Sequence, residues 1–310
     1  MLRPAVPYPT IRLGEVRHDV TTRTLVMGIL NRTPDSFYDR GATWDFDAFL
    51  ARAEGLVNAG ADLLDVGGVK AGPGPEVGEE EELERVIPAV EALAARFDTP
   101  ISVDTWRASV LDAGCAAGAV VGNDISGFGD PEYLGVAAKH GATVVATHIR
   151  LAPRVPDPEP HYDDLVADVE AFLLERARRA EAAGLVAEQI VFDAGLDLGK
   201  TPSMSAVLLR ESARHASLGY PLLLSASNKR FFGELLGLDI DDRRPESLGA
   251  VAYGVHAGCR VVRVHDVAGT VQICRVVEAI LAADQAQSAA AVTSTGDVRA
   301  SDRAANLGAE

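Results

Sequence analysis

The 310-residue chain predicts an α/β fold of the (β/α)8 TIM-barrel class, on three observations. Eight short apolar runs alternate with segments of helical spacing, the pattern of βαβ units closing into a parallel barrel. Each run stops abruptly at a polar residue followed by turn formers, as a strand buried on both faces does. No GxGxxG joins a first strand to a helix, which disfavours the dinucleotide form of the alternative, a doubly wound open sheet.

The elements follow in order. Residues 1–23 are a short N-terminal extension with little pattern, in which the turn Leu13-Gly14-Glu15 predicts a hairpin closing one end of the fold. The barrel is assigned to residues 24–284. Its first strand, Leu25–Leu30, ends at Asn31, because Pro34 cannot continue a ladder. Helical spacing over Asp45–Ala59 stops at Gly60, a normal C-terminal signal. The strand Asp62–Val66 leads into the glycine-rich loop GGVKAGPGPEVG, then a helix over Glu79–Phe97. Its acidic first turn, Glu79–Glu82, suits the helix dipole and is expected to be solvated.

Strands are expected at Ile101–Val103, Ala119–Gly122, Ala142–Ala146, Gln189–Phe192, Pro221–Leu224 and Arg260–Val264. Helices are expected to Ala117, over Asp130–His140, Tyr162–Ala183 and Ser205–Leu218, in a broken region Arg230–Gly258, and from Val267 to Ala283. Residues 285–310 are small and polar without apolar periodicity, which predicts a disordered tail.

Composition bounds the function. A formal charge of −16 opposes nucleic-acid binding, which needs clustered basic surface. No window is apolar enough for a membrane span, and the N-terminus lacks a signal-peptide pattern. Cys115, Cys259 and Cys274 are odd in number and far apart, so neither a disulfide framework nor a zinc site is suggested, and a cytoplasmic location is expected. The chain holds only four lysines, and Lys70, Lys200 and Lys229 fall at strand ends.

Every strand ends in a polar residue: Asn31, Asp65, Asp104, Asn123, His148, Asp193, Ser227 with Lys229, and Arg263 with His265. In a barrel these converge on one face, where active sites are built. Asp104, Asn123, Asp193 and Lys229 offer the donors and acceptors that a flat polar heterocycle needs. Asn31, Arg263 and His265 offer donors to phosphate oxygens, with Arg263 and His265 two apart and so on one face. Such a ring suits a heterocycle carrying a phosphate or diphosphate.

The segments ILNRTPDSF, SVDT, GNDISG, FDAGLDLGKT, SNKRFFG and RVHDV, in this order over Thr24–Ala283, strongly resemble dihydropteroate synthase. The resemblance implies a (β/α)8 barrel whose pterin pocket is lined by Asp104, Asn123, Asp193 and Lys229. It implies a diphosphate site using Asn31, Arg263 and His265, with Mg2+ at Asn31. Asp104, Lys229 and Arg263 become the candidate catalytic residues, and Phe37, Leu198, Ser227 and Asn228 mark the second-substrate region. The implied reaction displaces diphosphate from a dihydropterin by the amine of p-aminobenzoate, in a homodimer.

The chain departs from the family pattern in one half of the site. GGESTRPG becomes Gly67-Gly68-Val69-Lys70-Ala71-Gly72-Pro73-Gly74, so Lys70 is the candidate replacement cation. DPGxGF becomes Asp193-Ala194-Gly195-Leu196-Asp197-Leu198, which introduces a carboxylate, and SRK becomes Ser227-Asn228-Lys229, which loses a cation. These segments resemble the divergent second dihydropteroate synthase-like paralogue of actinobacteria. Three functions follow as expectations: the standard synthase, a pterin enzyme with another acceptor, or a non-catalytic pterin binder. Retention of Asn31 with the Arg263/His265 pair favours an enzyme.

Overall fold

The computed structural model describes residues 6–33, 45–72 and 74–283. Phe37 and the expected tail lie outside the described residues. The N-terminal hairpin is present: β1 (Thr10–Leu13) pairs antiparallel with β2 (Val16–Asp19), Ile11 facing His18. The turn between them places Gly14 at φ 62°, where glycine carries no steric cost.

Eight parallel strands close a barrel: β3 (Leu25–Asn31), β4 (Leu63–Gly67), β5 (Ile101–Asp104), β6 (Val121–Asp124), β7 (Thr143–Thr147), β8 (Ile190–Asp193), β9 (Leu222–Leu224) and β10 (Val261–Val264). The ring runs β10-β3-β4-β5-β6-β7-β8-β9, so every strand but one neighbours its successor and β10 returns to β3. All eight expected strands are present within two residues of their expected starts.

The period of two along each strand sorts the core into two clusters. Val26, Leu30, Leu64, Val66, Val103, Val144, Phe192 and Val262 face outward into the layer beneath the helices. Leu25, Met27, Leu63, Val121, Val145, Val191, Leu223 and Val261 face inward, and Ile11, Leu13 and Val20 of the hairpin segment pack on them as a plug. Full burial of each such side chain contributes roughly 1.5–3 kcal/mol. Two residues further along the same inward face stand Asp65 after Leu63, Asn123 after Val121, Asp193 after Val191 and Arg263 after Val261. The barrel interior therefore changes from apolar to polar within a single step of the pleat.

The outer helices are α1 (Phe46–Asn58), α2 (Glu79–Arg96), α3 (Ala108–Ala116), α4 (Tyr133–His140), α5 (Leu165–Ala182), α6 (Pro202–Arg210), α7 (Ser212–Ala216), α8 (Arg230–Leu236) and α9 (Arg244–Ala257), with residues 267–283 also helical. Local chemistry sets their starts: Asp45, Asp164 and Thr201 accept backbone N–H groups as N-caps of α1, α5 and α6. The expected helix over Ser205–Leu218 begins earlier, where Pro202 follows the Thr201 cap, and breaks at Glu211. The acidic turn of α2 is a second departure. Glu82 is fully buried and pairs with Arg107, whose guanidinium also donates to the Val77 carbonyl at 2.8 Å.

Candidate active site

The strand ends open into a cavity of about 760 Å3 whose wall includes Asn31, Lys70, Asp104, Lys229, Arg263 and His265. Leu198, Ser227 and Asn228, expected around the second substrate, are also in the wall. Asn123 and Asp193 are buried and are not part of the wall. Ladder register aligns Asn31, Gly67, Asp104 and Asn123 across four strands. Gly67 leaves a gap in that row: a Cβ there would lie 3.6 Å from Asp104 Oδ2 and 3.8 Å from Asn31 Oδ1.

Arg263 organises the floor. Its Nε donates to Asp65 Oδ2 at 2.6 Å and its Nη2 to Asp104 Oδ2 at 2.7 Å. Asp65 Oδ2 also accepts from Asn123 Nδ2 at 3.2 Å. Two carboxylates hold the guanidinium charged and above its ordinary pKa, against the cost of burial. Burial pushes the Asp104 carboxyl up to about 7, although Arg263 opposes that shift. Asp104 and Asn123, expected to serve the heterocycle, and Arg263, expected to serve the phosphates, are thus one hydrogen-bonded unit joined through Asp65 and Arg263. Asp65 is the organising partner that strand-end chemistry alone left without a role; its signal was a single acid inside the apolar run Leu63–Val66.

A second cluster fixes the loop after β8. Asp193 Oδ1 accepts the Gly195 N–H at 2.8 Å, and Lys229 Nζ donates to the Leu196 carbonyl at 3.1 Å. Lys200 is buried, with Nζ 2.9 Å from His148 Nδ1, 3.3 Å from the His148 carbonyl and 2.9 Å from the Leu198 carbonyl. Desolvation lowers the Lys200 ammonium to about 7; desolvation and then the Lys200 charge bring His148 down to about 2, so the pair meets as a donor and a neutral imidazole. Tyr162 Oη donates to the Gly199 carbonyl at 2.9 Å and Arg150 grips Asp157 through two bonds of 2.6 and 2.5 Å. Arg154, at φ 65°, reaches from the loop after β7 to the Pro75 carbonyl in the loop after β4. The Pro-rich sequence of the loop after β7 carried no sign of these bonds.

The altered positions have definite structural roles. Asp197 replaces the second glycine of DPGxGF and retains a glycine-like φ of 65°. Its Oδ2 accepts the N–H groups of Arg230 at 2.7 Å and Phe231 at 3.4 Å, while Oδ1 accepts the Ser205 hydroxyl at 3.3 Å. The introduced carboxylate therefore caps the first turn of α8 and is held rigidly in the cavity wall. Asn228 sits at φ 57°, a conformation asparagine tolerates well, and its N–H donates to Ser247 Oγ at 3.0 Å. Ser227 Oγ lies 2.9 Å from His265 Nδ1.

Among the described residues no group of three or more His, Cys, Asp or Glu side chains is arranged to hold a metal ion. Mg2+ ordinarily takes one or two protein oxygens and completes its shell with water and substrate phosphates. Asn31, in the wall of the open cavity, fits that mode, not a closed protein cage. Among the described residues no helix is long and apolar enough to cross a membrane.

Comparison with known proteins agrees with this geometry. The sequence profile of the family described as pterin binding enzyme matches residues 27–265. Dihydropteroate synthase of Bacillus subtilis (strain 168) is 40% identical over 261 residues, covering 84% of this chain and 89% of that protein. The inactive dihydropteroate synthase 2 of Mycobacterium leprae (strain TN) is 42% identical over 268 residues, covering 83% of this chain and 91% of that protein. The crystal structure of Yersinia pestis dihydropteroate synthase with a sulfonamide drug superposes with a TM-score of 0.84 at 38% identity, over 88% of this chain and 99% of that one. Matched across nearly its whole barrel, the chain belongs to the pterin-binding enzyme family, among the dihydropteroate synthases and their inactive paralogues.

Proposed function

We propose that the chain is a dihydropteroate synthase-type transferase of folate biosynthesis. Its substrates are a dihydropterin bearing a CH2-diphosphate group and an arylamine, p-aminobenzoate in the standard reaction. The observation that carries this proposal is the Asp65–Arg263–Asp104 unit, set in one polar layer with Asn123 and Asp193. A pterin ring presents both N–H donors and a carbonyl, and that layer with Lys229 supplies matching acceptors and donors. Asn31, Lys70, Arg263 and His265 hold the diphosphate, and Arg263 is well matched to its oxygens. Mg2+ at Asn31 supplies charge neutralisation to the diphosphate when bound.

The chemistry is a displacement at the pterin methylene. The C–O bond breaks with its electron pair on diphosphate, and the amine nitrogen forms the new C–N bond. Arg263 and His265 stabilise the departing charge, while Asp104 faces the positive charge that develops on the pterin methylene. No covalent enzyme intermediate is required. The protein acts in the cytoplasm as a homodimer, with residues 24–284 as the catalytic unit.

A second reading, pterin transfer to another acceptor, is favoured by Asp197, because a fixed carboxylate stands in the wall of the acceptor half. Diphosphate release from dihydropterin diphosphate with Mg2+, measured with and without p-aminobenzoate, separates the two. Release that requires p-aminobenzoate and yields dihydropteroate establishes the standard reaction. Pterin diphosphate binding without that dependence moves the assignment to another acceptor, and absence of binding overturns both.

A further inference from the structure

We infer that the acceptor half of this site takes an uncharged arylamine, one carrying a neutral substituent where p-aminobenzoate carries its carboxylate. This inference rests on the pterin-transferase function proposed above and names the class of its second substrate.

Three observations converge. First, Asp197 places a carboxylate in the cavity wall and holds it there by three hydrogen bonds, to the N–H groups of Arg230 and Phe231 and to Ser205. Those two N–H groups are consequently already bonded to the protein's own anion. A second carboxylate in the same part of the cavity meets like charge that cannot swing away. Second, the cations on this side are each bonded to the protein's own groups, Lys229 to the Leu196 carbonyl and Arg154 to the Pro75 carbonyl among them. Arg230 pairs with Glu234 at 2.7 Å, Arg150 with Asp157, and Lys200 directs its ammonium to His148 and Leu198. Lys70 follows β4, which stands diametrically across the ring from β8, the strand before Asp197. Third, the adjoining wall is mostly apolar: Ile149, Leu151, Val155, Pro156 and Pro158 line it beside Arg154 and Asp157, with Leu151 and Val155 exposed. Large apolar side chains exposed on a cavity wall suit the ring and neutral substituent of an aromatic ligand.

The reaction balances as in the standard case. The arylamine lone pair forms the C–N bond, the C–O bond to diphosphate breaks with its electrons on diphosphate, and the amine proton passes to water or to the released diphosphate.

The test uses the full chain with Mg2+, dihydropterin diphosphate and three amines: p-aminobenzoate, p-aminobenzamide and p-toluidine. The neutral amide is expected to exceed the carboxylate in kcat/KM by about tenfold or more. Asp197→Gly suits the φ of 65° and removes the carboxylate; it should shift that ratio toward p-aminobenzoate by about tenfold, mainly through KM. Asp197→Asn, which keeps the side-chain volume, should shift it in the same direction. Preference for p-aminobenzoate by the unaltered chain, or a ratio unmoved in both variants, overturns the inference. Calorimetric binding of dihydropterin diphosphate separates the two levels. Binding with no amine consumed overturns this inference alone, whereas no binding overturns the pterin-transferase function and this inference with it.

Discussion

Arg263 Nε lies 2.6 Å from Asp65 Oδ2, and the Asp65 side chain is wholly shielded from solvent. A pair so buried gains little over an apolar replacement but is costly to break, because the survivor is left charged and unpaired. Asp65→Asn should therefore destabilise the chain by about 3 kcal/mol and weaken pterin diphosphate binding. Arg263→Gln added to Asp65→Asn should cost much less than the sum of the single changes, a coupling of about 1 kcal/mol or more in a urea-unfolding cycle. Additive single changes would show that Asp65 does not hold Arg263.

Gly195 offers a sharper steric test. It sits at φ 66°, its N–H bonds Asp193, and a Cβ there would lie 1.9 Å from the His148 carbonyl oxygen. Backbone must move to admit a methyl group, so Gly195→Ala should cost about 3 kcal/mol and displace the Asp193 side chain. Gly184 at φ 101° has open space around it, so Gly184→Ala should cost only about 1–2 kcal/mol and leave pterin binding unchanged. Equal effects of the two substitutions on pterin binding would remove the steric argument.

Much of the barrel was legible because strand burial on both faces writes continuous apolar runs, and Asn31, Asp104 and His265 each follow such a run. The convergence of these ends follows from closure of the ring and needs no knowledge of contacts. What the sequence did not disclose is pairing over long separations: Arg263 and Asp65 are 198 residues apart, and nothing local marks them as partners. Asp197 illustrates a different limit. A carboxylate newly present in a motif signals altered charge, but its use as a cap on α8 depends on the approach of Arg230, 33 residues away. Glu82 shows the same limit for burial, since an acidic helix turn looks solvated until Arg107 is found beneath it.

Lys200 predicts a pH dependence of stability with a definite sign. Its ammonium is lowered to about 7 in the folded chain, against 10.5 as an ordinary lysine. Below about 7 both states hold the proton and the cost of the buried charge is fully present. Between the two values the unfolded chain binds a proton that the folded chain has released, so stability from this group rises with pH. Lys200→Met lacks that gain, so the stability of the unaltered chain relative to the variant should rise from pH 7 to pH 9 by at most about 1.4 kcal/mol per pH unit. Urea-unfolding profiles that stay parallel over this range would place the Lys200 titration elsewhere.

The two positions that lack the family's cations can be tested by restoring them. Gly72 lines the cavity, and among the described residues a Cβ there meets nothing within 4 Å, so Gly72→Arg should enter with little steric cost at its Cβ. Asn228 is at φ 57°, where arginine is strained, so Asn228→Arg should lower stability by about 1–2 kcal/mol. If missing cations limit the use of p-aminobenzoate, the double variant should lower its KM by about tenfold while leaving the KM for p-aminobenzamide nearly unchanged. The charge of the second substrate alone distinguishes the two amines, so a parallel change in both KM values would point to loop order, not to electrostatics. An unchanged KM for p-aminobenzoate would leave the Asp197 carboxylate, not the lost arginines, as the element that decides which amine the site accepts.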